Sequence, residues 1–196
     1  MQYQRPGIRS LVVGFLLATV VISYPFLIYS YIDILSPAAF AGLLLLLIVI
    51  RFVVLNKKPQ KSDIAMLTVM SVFCACAIWL NSESLLRFYP VLMNVGIGLL
   101  FLTSLYGDEC LIARFAKLSG KTPPPAATGY LRTLTLLWSL LLFLNGAISA
   151  YTAWYTDLST WALYNGFIAY AVMAIFALSE LLYRRHYKKK HNIIDD

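Results

Sequence analysis

Histidine, cysteine and acidic residues are scarce in this chain: two His, three Cys and nine Asp or Glu stand among 196 residues, and charged residues make up 13% of the whole. Soluble domains carry about 25% charge, so a soluble fold is excluded. Three cysteines cannot staple a small secreted scaffold, and without polar tracts or heptads neither a disordered tail nor a coiled coil fits. Both histidines, His186 and His191, lie close to the C-terminus. With none in the apolar part, no nucleophile–His–acid set, haem ligand pair or paired catalytic carboxylates can be assembled there, and there is no Gly-rich phosphate loop. Cys74 and Cys76 stand two apart, roughly 200° around a helix, and with no His in reach cannot share a metal. The residues point to a non-enzymatic protein with no cofactor and no metal.

Hydrocarbon takes the place of that chemistry. Hydrophobic residues reach 60% and the mean hydropathy is +0.74. Apolar runs cover residues 11–30, 34–55, 64–80, 88–106, 131–154 and 160–183, each near the ~20 residues that cross a bilayer. Barrel strands would alternate apolar and polar residues, and these runs do not. The expectation is an all-α, polytopic membrane protein of six transmembrane helices in one integral membrane domain, with residues 184–196 as a basic tail. The third run is the shortest and is expected to continue through Asn81 and Ser82. The first run is too long for a signal-peptide core, and Ala39-Phe40-Ala41 heads another apolar segment instead of a polar mature domain, so it reads as a permanent helix.

Orientation follows from the loops. With the N-terminus inside, 15 of the 16 Lys and Arg residues fall on the inner side and Arg87 alone outside, while Asp33, Glu83 and Asp157 sit in outer loops. The positive-inside rule then places both termini in the cytoplasm. These cations lie beside helix ends with no basic domain to carry them, so anionic lipid headgroups are the expected partner and nucleic acid is not. Trp79, Phe88, Tyr89, Trp154, Tyr155, Trp161 and Tyr164 are expected to form an outer interfacial belt.

Of the inner loops, Asn56 to Asp63 reads as a tight basic turn, with Ser62 or Asp63 capping the next helix. In the longer loop, Leu111, Ile112, Phe115 and Leu118 form one helical stripe beside Arg114 and Lys117. This reads as a short interfacial amphipathic helix before the fifth span, with a fourth span that runs on into the cytoplasm as the alternative. Ser119 to Pro125 carries three consecutive prolines and is expected to be an extended spacer. Arg114, Phe115, Lys117, Arg184 and Arg185 are the candidate contacts for lipid or a partner protein.

Polar groups within the apolar runs are the remaining signal. Asn94, Asn145 and Asn165 fall in the outer half of the fourth, fifth and sixth runs, beside Gly96 and Gly98, Gly146, and Gly166. They serve either as interhelical packing bonds or, with Arg87 and Tyr151, as the lining of an outward polar pocket. Nearer the inner face, Glu180 stands four residues before Arg184, the favourable order for an intrahelical ion pair. Arg51 is set to snorkel to the headgroups, and an Arg51 to Glu180 pair is the alternative.

Phe88-Tyr89-Pro90-Val91-Leu92-Met93-Asn94, Thr103-Ser104-Leu105, Leu111 to Lys117, Tyr130, Trp138 and Asn145-Gly146 resemble a family of bacterial inner-membrane proteins found beside acyl-carrier-protein and ketosynthase genes of aryl-polyene clusters. The likeness spans residues 85 to 155. Arg114 and Phe115 carry over, whereas Ala113 replaces a Glu of that motif and Lys117 its last Arg. More distantly, the basic turn, the amphipathic stretch, Leu136-Leu137-Trp138 and Asn145-Gly146 resemble the intracellular septation protein family. The resemblance implies a Gram-negative inner-membrane protein of envelope or lipid-like-product metabolism, the septation family having no established catalytic activity. On these grounds the chain is expected to scaffold envelope or acyl-chain biosynthesis enzymes; the alternative is a carrier that moves an amphiphile through the Asn-lined pocket.

Overall fold

The computed structural model describes residues 19, 23–55, 61–120 and 123–190, and every regular element among them is helical. These are α1 (23–31), α2 (Pro37–Leu55), α3 (Lys61–Leu80), α4 (Glu83–Arg87), α5 (Tyr89–Ser104), α6 (Leu111–Leu118), a 3₁₀ turn (Pro125–Ala127), α7 (Thr128–Tyr155), α8 (Leu158–Leu163), a π-helical turn (Tyr164–Ile168) and α9 (Ala169–Lys190). The stretches Glu83–Ser104, Pro125–Tyr155 and Leu158–Arg185 are long and apolar enough to cross a membrane. Only 17%, 39% and 11% of their most apolar windows are buried inside the protein. Side chains such as Ile175, Leu178, Leu182 and Leu144 therefore point outward, an arrangement that hydrocarbon accepts and water does not. The apolar parts of α2 and α3, Pro37–Ile50 and Leu67–Leu80, are shorter than a span.

Local chemistry sets the boundaries. Ser36 accepts from the Ala39 N–H, and Pro37 takes the first helical position, where its missing N–H costs nothing. The second helix thus starts at Pro37, since Tyr31 to Leu35 is a turn. The third starts at Lys61, so Ser62 and Asp63 lie within its first turn and not at its cap, and it stops at Leu80 instead of running on. Asn81 turns the chain with φ of 43°, a left-handed conformation that Asn tolerates better than most residues. Ser82 then caps α4 through the Leu85 N–H. Leu105 to Cys110 forms a turn between α5 and α6, which rules out one helix running on into the loop. In the spacer, Pro124 is extended but Pro125 already begins the 3₁₀ turn. Arg184 and Arg185 lie on α9, which continues helical to Lys190.

The chain divides into two compact units, one comprising Met1–Tyr89 and Ala150–Gly166, the other Pro90–Ser149 and Phe167–Asp196. In the first, α2 packs on α3, and the Asn81 side chain accepts from the Ala38 N–H at 2.9 Å, tying the end of α3 to the start of α2. Its core comes from helical faces: Tyr24 and Ile28; Phe40, Ala41 and Leu44; Met70, Cys74 and Ala77. Trp161 and Tyr89 belong to this core as well, Trp161 fully covered and Tyr89 packed on Tyr24 at 4.9 Å, so neither joins the expected aromatic belt. Trp79, Trp154 and Tyr155 are exposed.

In the second unit α7 carries a buried stripe of Thr135, Ser139, Leu142, Asn145 and Ser149. Small and hydroxylic residues of this kind let membrane helices approach closely. A side chain at Gly98 would sit 3.2 Å from Phe143, and one at Gly146 would sit 3.3 Å from Asn94 Cβ. Trp138 fills the space beside them, edge-on to Phe176 at 4.9 Å and tilted against Phe101 at 6.4 Å.

A Cβ at Gly166 would lie 2.5 Å from the ring of Phe26. Gly166→Ala should therefore destabilise the detergent-extracted protein by an overpacking cost of about 1–3 kcal/mol, and Phe26→Ala in the same chain should restore most of it. An unchanged melting temperature for the single variant would mean that the ring swings aside freely.

Candidate functional site

Two of the three intramembrane amides meet. Asn145 on α7 donates to Asn94 Oδ1 on α5 at 3.1 Å, and Asn94 in turn donates to the Pro90 carbonyl at 2.8 Å. That carbonyl lies one turn earlier on the same helix, and its second lone pair can accept the side-chain bond. Ser139 adds a bond to the Gly98 carbonyl at 2.9 Å. The two asparagines therefore spend their polarity on each other and on the helix backbone.

Asn165 belongs to the other unit. It sits in the π-helical turn and donates to Thr152 Oγ1 at 3.2 Å and to the Trp161 carbonyl at 2.9 Å, while its buried Oδ1 finds no partner among the described residues. Arg87, in the same unit, is a clip. Its Nε donates to Glu83 at 3.0 Å, its Nη1 to the Thr156 carbonyl at 3.2 Å, and its own carbonyl receives the Trp161 indole N–H at 3.0 Å. Tyr151 is exposed and lies against Tyr155. Asp157 caps α8, and hydrogen bonds from the Thr160 hydroxyl and N–H hold its carboxyl below the ordinary value of 3.8.

At the other end of α5, Ser104 donates to the Phe101 carbonyl and accepts from the Leu111 N–H at 2.9 Å, which fixes where α6 begins. The Arg132 guanidinium donates to the Leu105 carbonyl, and Lys117 pairs with Glu109. Cys110, just before the helix, is buried, yet no residue of α6 itself is. Phe115 and Leu118 are half exposed on its apolar side.

The third cluster joins α7 and α9. Tyr130 donates to Glu180 Oε1 at 2.7 Å, Arg184 Nε lies 3.4 Å from the same oxygen, and the Tyr130 and Tyr183 rings stack at 6.0 Å. The intrahelical Glu180–Arg184 pair is present; the Arg51 side chain lies outside the described residues. Beside the cluster opens a groove of about 490 Å³, lined by Leu134, Leu137, Phe176 and Ser179 with Tyr130 and Glu180. Sequence reasoning missed Tyr130 in this role. Its only signal was a tyrosine at the head of an apolar run, opposite a run that holds a lone acid. Arg185, one residue past Arg184, is exposed. No group of His, Cys, Asp and Glu able to hold a metal occurs among the described residues.

Comparison with known proteins bears on the whole chain. The family model for intracellular septation protein A matches residues 13–191. The inner membrane-spanning protein YciB of Hydrogenovibrio crunogenus is 23% identical over 139 residues, 70% of this chain and 63% of that relative's own length. No solved structure matches. The match falls on the more distant of the two resemblances in the sequence.

Two outcomes follow from the geometry. Asn145→Leu should cost about 0.6–1.7 kcal/mol, the span of interhelical hydrogen bonds in membranes, and Asn94→Leu in the same chain should cost less than it does alone. Thermal denaturation of the four chains measures this, and strictly additive losses would dismiss the pair. For Asp157, lowered in the folded protein, the cap contributes fully above pH 3.8 and fades as the pH falls through the folded value. Amide exchange at Thr160 followed into acid should show protection at neutral pH that is lost only there.

Proposed function

The chain belongs to the intracellular septation protein A family, and from that premise we propose that it is a multi-pass protein of the bacterial inner membrane, with six spans and both termini cytoplasmic, that supports cell-envelope assembly as a scaffold. The relative's printed name, an inner membrane-spanning protein, supports the location. Fifteen of the sixteen cations fall on one side of this threading, which supports the orientation.

The observation that carries the scaffold reading is α6. A helix of eight residues with none buried gains nothing from the core of its own protein, yet Ser104 fixes its start. Its apolar side chains, Phe115 and Leu118, need another surface, and Arg114 and Lys117 border it with positive charge. Such a helix lies in the headgroup plane and offers its polar edge to an enzyme that works there. Arg184 and Arg185, at the end of α9, extend the basic surface toward anionic lipids. The partners are enzymes of envelope or acyl-chain synthesis, and a product of the aryl-polyene type is the finer reading, resting on the likeness over residues 85 to 155. A carrier would need the asparagines free to meet cargo. Asn94 and Asn145 instead satisfy each other, which favours packing.

Crosslinking and co-purification from the native membrane test the proposal. Arg114→Glu with Lys117→Glu should remove a stoichiometric protein partner while the protein remains in the membrane, and Asn145→Leu should leave that partner bound. The opposite pattern, with an amphiphile lost in Asn145→Leu, would make the protein a carrier. A periplasmic reporter fused after Asp196 should be inactive, and an active one would overturn the threading.

A further inference from the structure

We propose that the groove between α7 and α9 binds one phospholipid with a primary-amine headgroup, its ammonium on Glu180 and its phosphate beside Arg184. Both protein contacts of the Glu180 carboxylate, from Tyr130 and from Arg184, reach Oε1. No hydrogen bond to Oε2 occurs among the described residues, and the side chain is 13% exposed. An ionised carboxylate accepts about four hydrogen bonds, so Oε2 has acceptor capacity left for a donor that enters the groove. A cationic donor is the strongest.

The rest of the groove says what carries that cation. Leu134, Leu137 and Phe176 give it an apolar wall, and its volume of about 490 Å³ is within the ~300–1,000 Å³ of sites that enclose a small ligand. Thr133, Leu137, Ser179 and Tyr183 are exposed, so the groove opens on the outside of two helices long and apolar enough to cross a membrane. A molecule reaching it comes from the bilayer, with hydrocarbon for the wall and a polar head for the acid. Arg184, 42% exposed and one turn beyond Glu180 on the same helix, stands about 6 Å further along the axis. That spacing suits a headgroup that carries an ammonium and a phosphate side by side. A trimethylated headgroup has no N–H to give to Oε2, and a glycerol headgroup has no cation.

Native mass spectrometry of the full-length chain, offered equal amounts of phosphatidylethanolamine, phosphatidylcholine and phosphatidylglycerol with identical acyl chains, tests this. The wild type should retain one phosphatidylethanolamine in preference to the other two. Glu180→Gln should lower that retention about tenfold, the scale of one hydrogen bond to a charged group. Should Glu180→Gln fail to fold, Thr133→Trp, at an exposed position, should block the groove and abolish retention of all three. Equal retention of the three lipids by the wild type, or an undiminished preference in Glu180→Gln, overturns the proposal. So does recovery of a dimer that Thr133→Trp splits, which would make the groove a contact between copies. The Arg114/Lys117 double variant should keep its lipid, so the scaffold reading and this one fail separately.

Discussion

Backbone approach between α5 and α7 is the constraint on which the second unit rests. In hydrocarbon there is no hydrophobic force to press helices together, so contact area and the few polar bonds must do it. Gly98 and Gly146 remove the side chains that would hold the two backbones apart, and only then can Asn145 reach Asn94 and Ser139 reach the Gly98 carbonyl. Glycine costs a helix about 1 kcal/mol relative to alanine. Here that loss is offset by contacts that no larger residue would permit. Trp138, also on α7, wedges against Phe101 of α5 and Phe176 of α9, a large rigid side chain beside the small stripe.

The first unit solves its polar problem differently, by clipping chain ends. Arg87 has its guanidinium on Glu83 and the Thr156 carbonyl while its own carbonyl holds the Trp161 indole. A π-helical turn follows α8, and such turns widen a helix by one residue and leave backbone acceptors exposed. Asn165, placed in it, answers the Trp161 carbonyl. An arginine that sequence alone marks as a pocket rim is thereby consumed by structure.

Much of the helical layout was legible because hydropathy and spanning length are set by the bilayer, and Glu83–Ser104, Pro125–Tyr155 and Leu158–Arg185 lie where the apolar runs do. Ends were less legible: the second run reads as starting at residue 34 although its helix starts at Pro37, and a left-handed Asn81 looks like any polar residue at the close of a run. Trp161 and Tyr89 misled for a related reason. An aromatic near a helix end is equally suited to the interface and to a core whose polar edge needs an indole N–H, and choosing between them requires knowing that Arg87 presents its carbonyl. The amphipathic stripe of α6 was plain in its spacing, but its separation from α5 depends on Ser104 meeting Leu111 seven residues on, a contact with no periodic signal. The Tyr130 to Glu180 bond joins residues 50 apart, and no local pattern could announce it.

The α6 helix and the α7/α9 groove ask different things of the membrane, and that difference bears on how a scaffold of this kind would work. A helix with no buried residue, tied to its own chain by the Ser104 bond at its start and the Lys117–Glu109 pair, takes its orientation largely from the surface on which it lies. A groove whose acid is already pinned by Tyr130 and Arg184 is preorganised and loses little on binding. A lipid seated there would rest against Tyr130, three residues into the helix that the α6 loop feeds, while Arg132, on the same turn, holds the Leu105 carbonyl at the loop's beginning. Tyr130 and Arg132 thus join the two features through one turn of α7. Under both proposals, an occupied groove would stiffen the base from which the loop departs, and a stiffer base would present α6 to a partner in one pose.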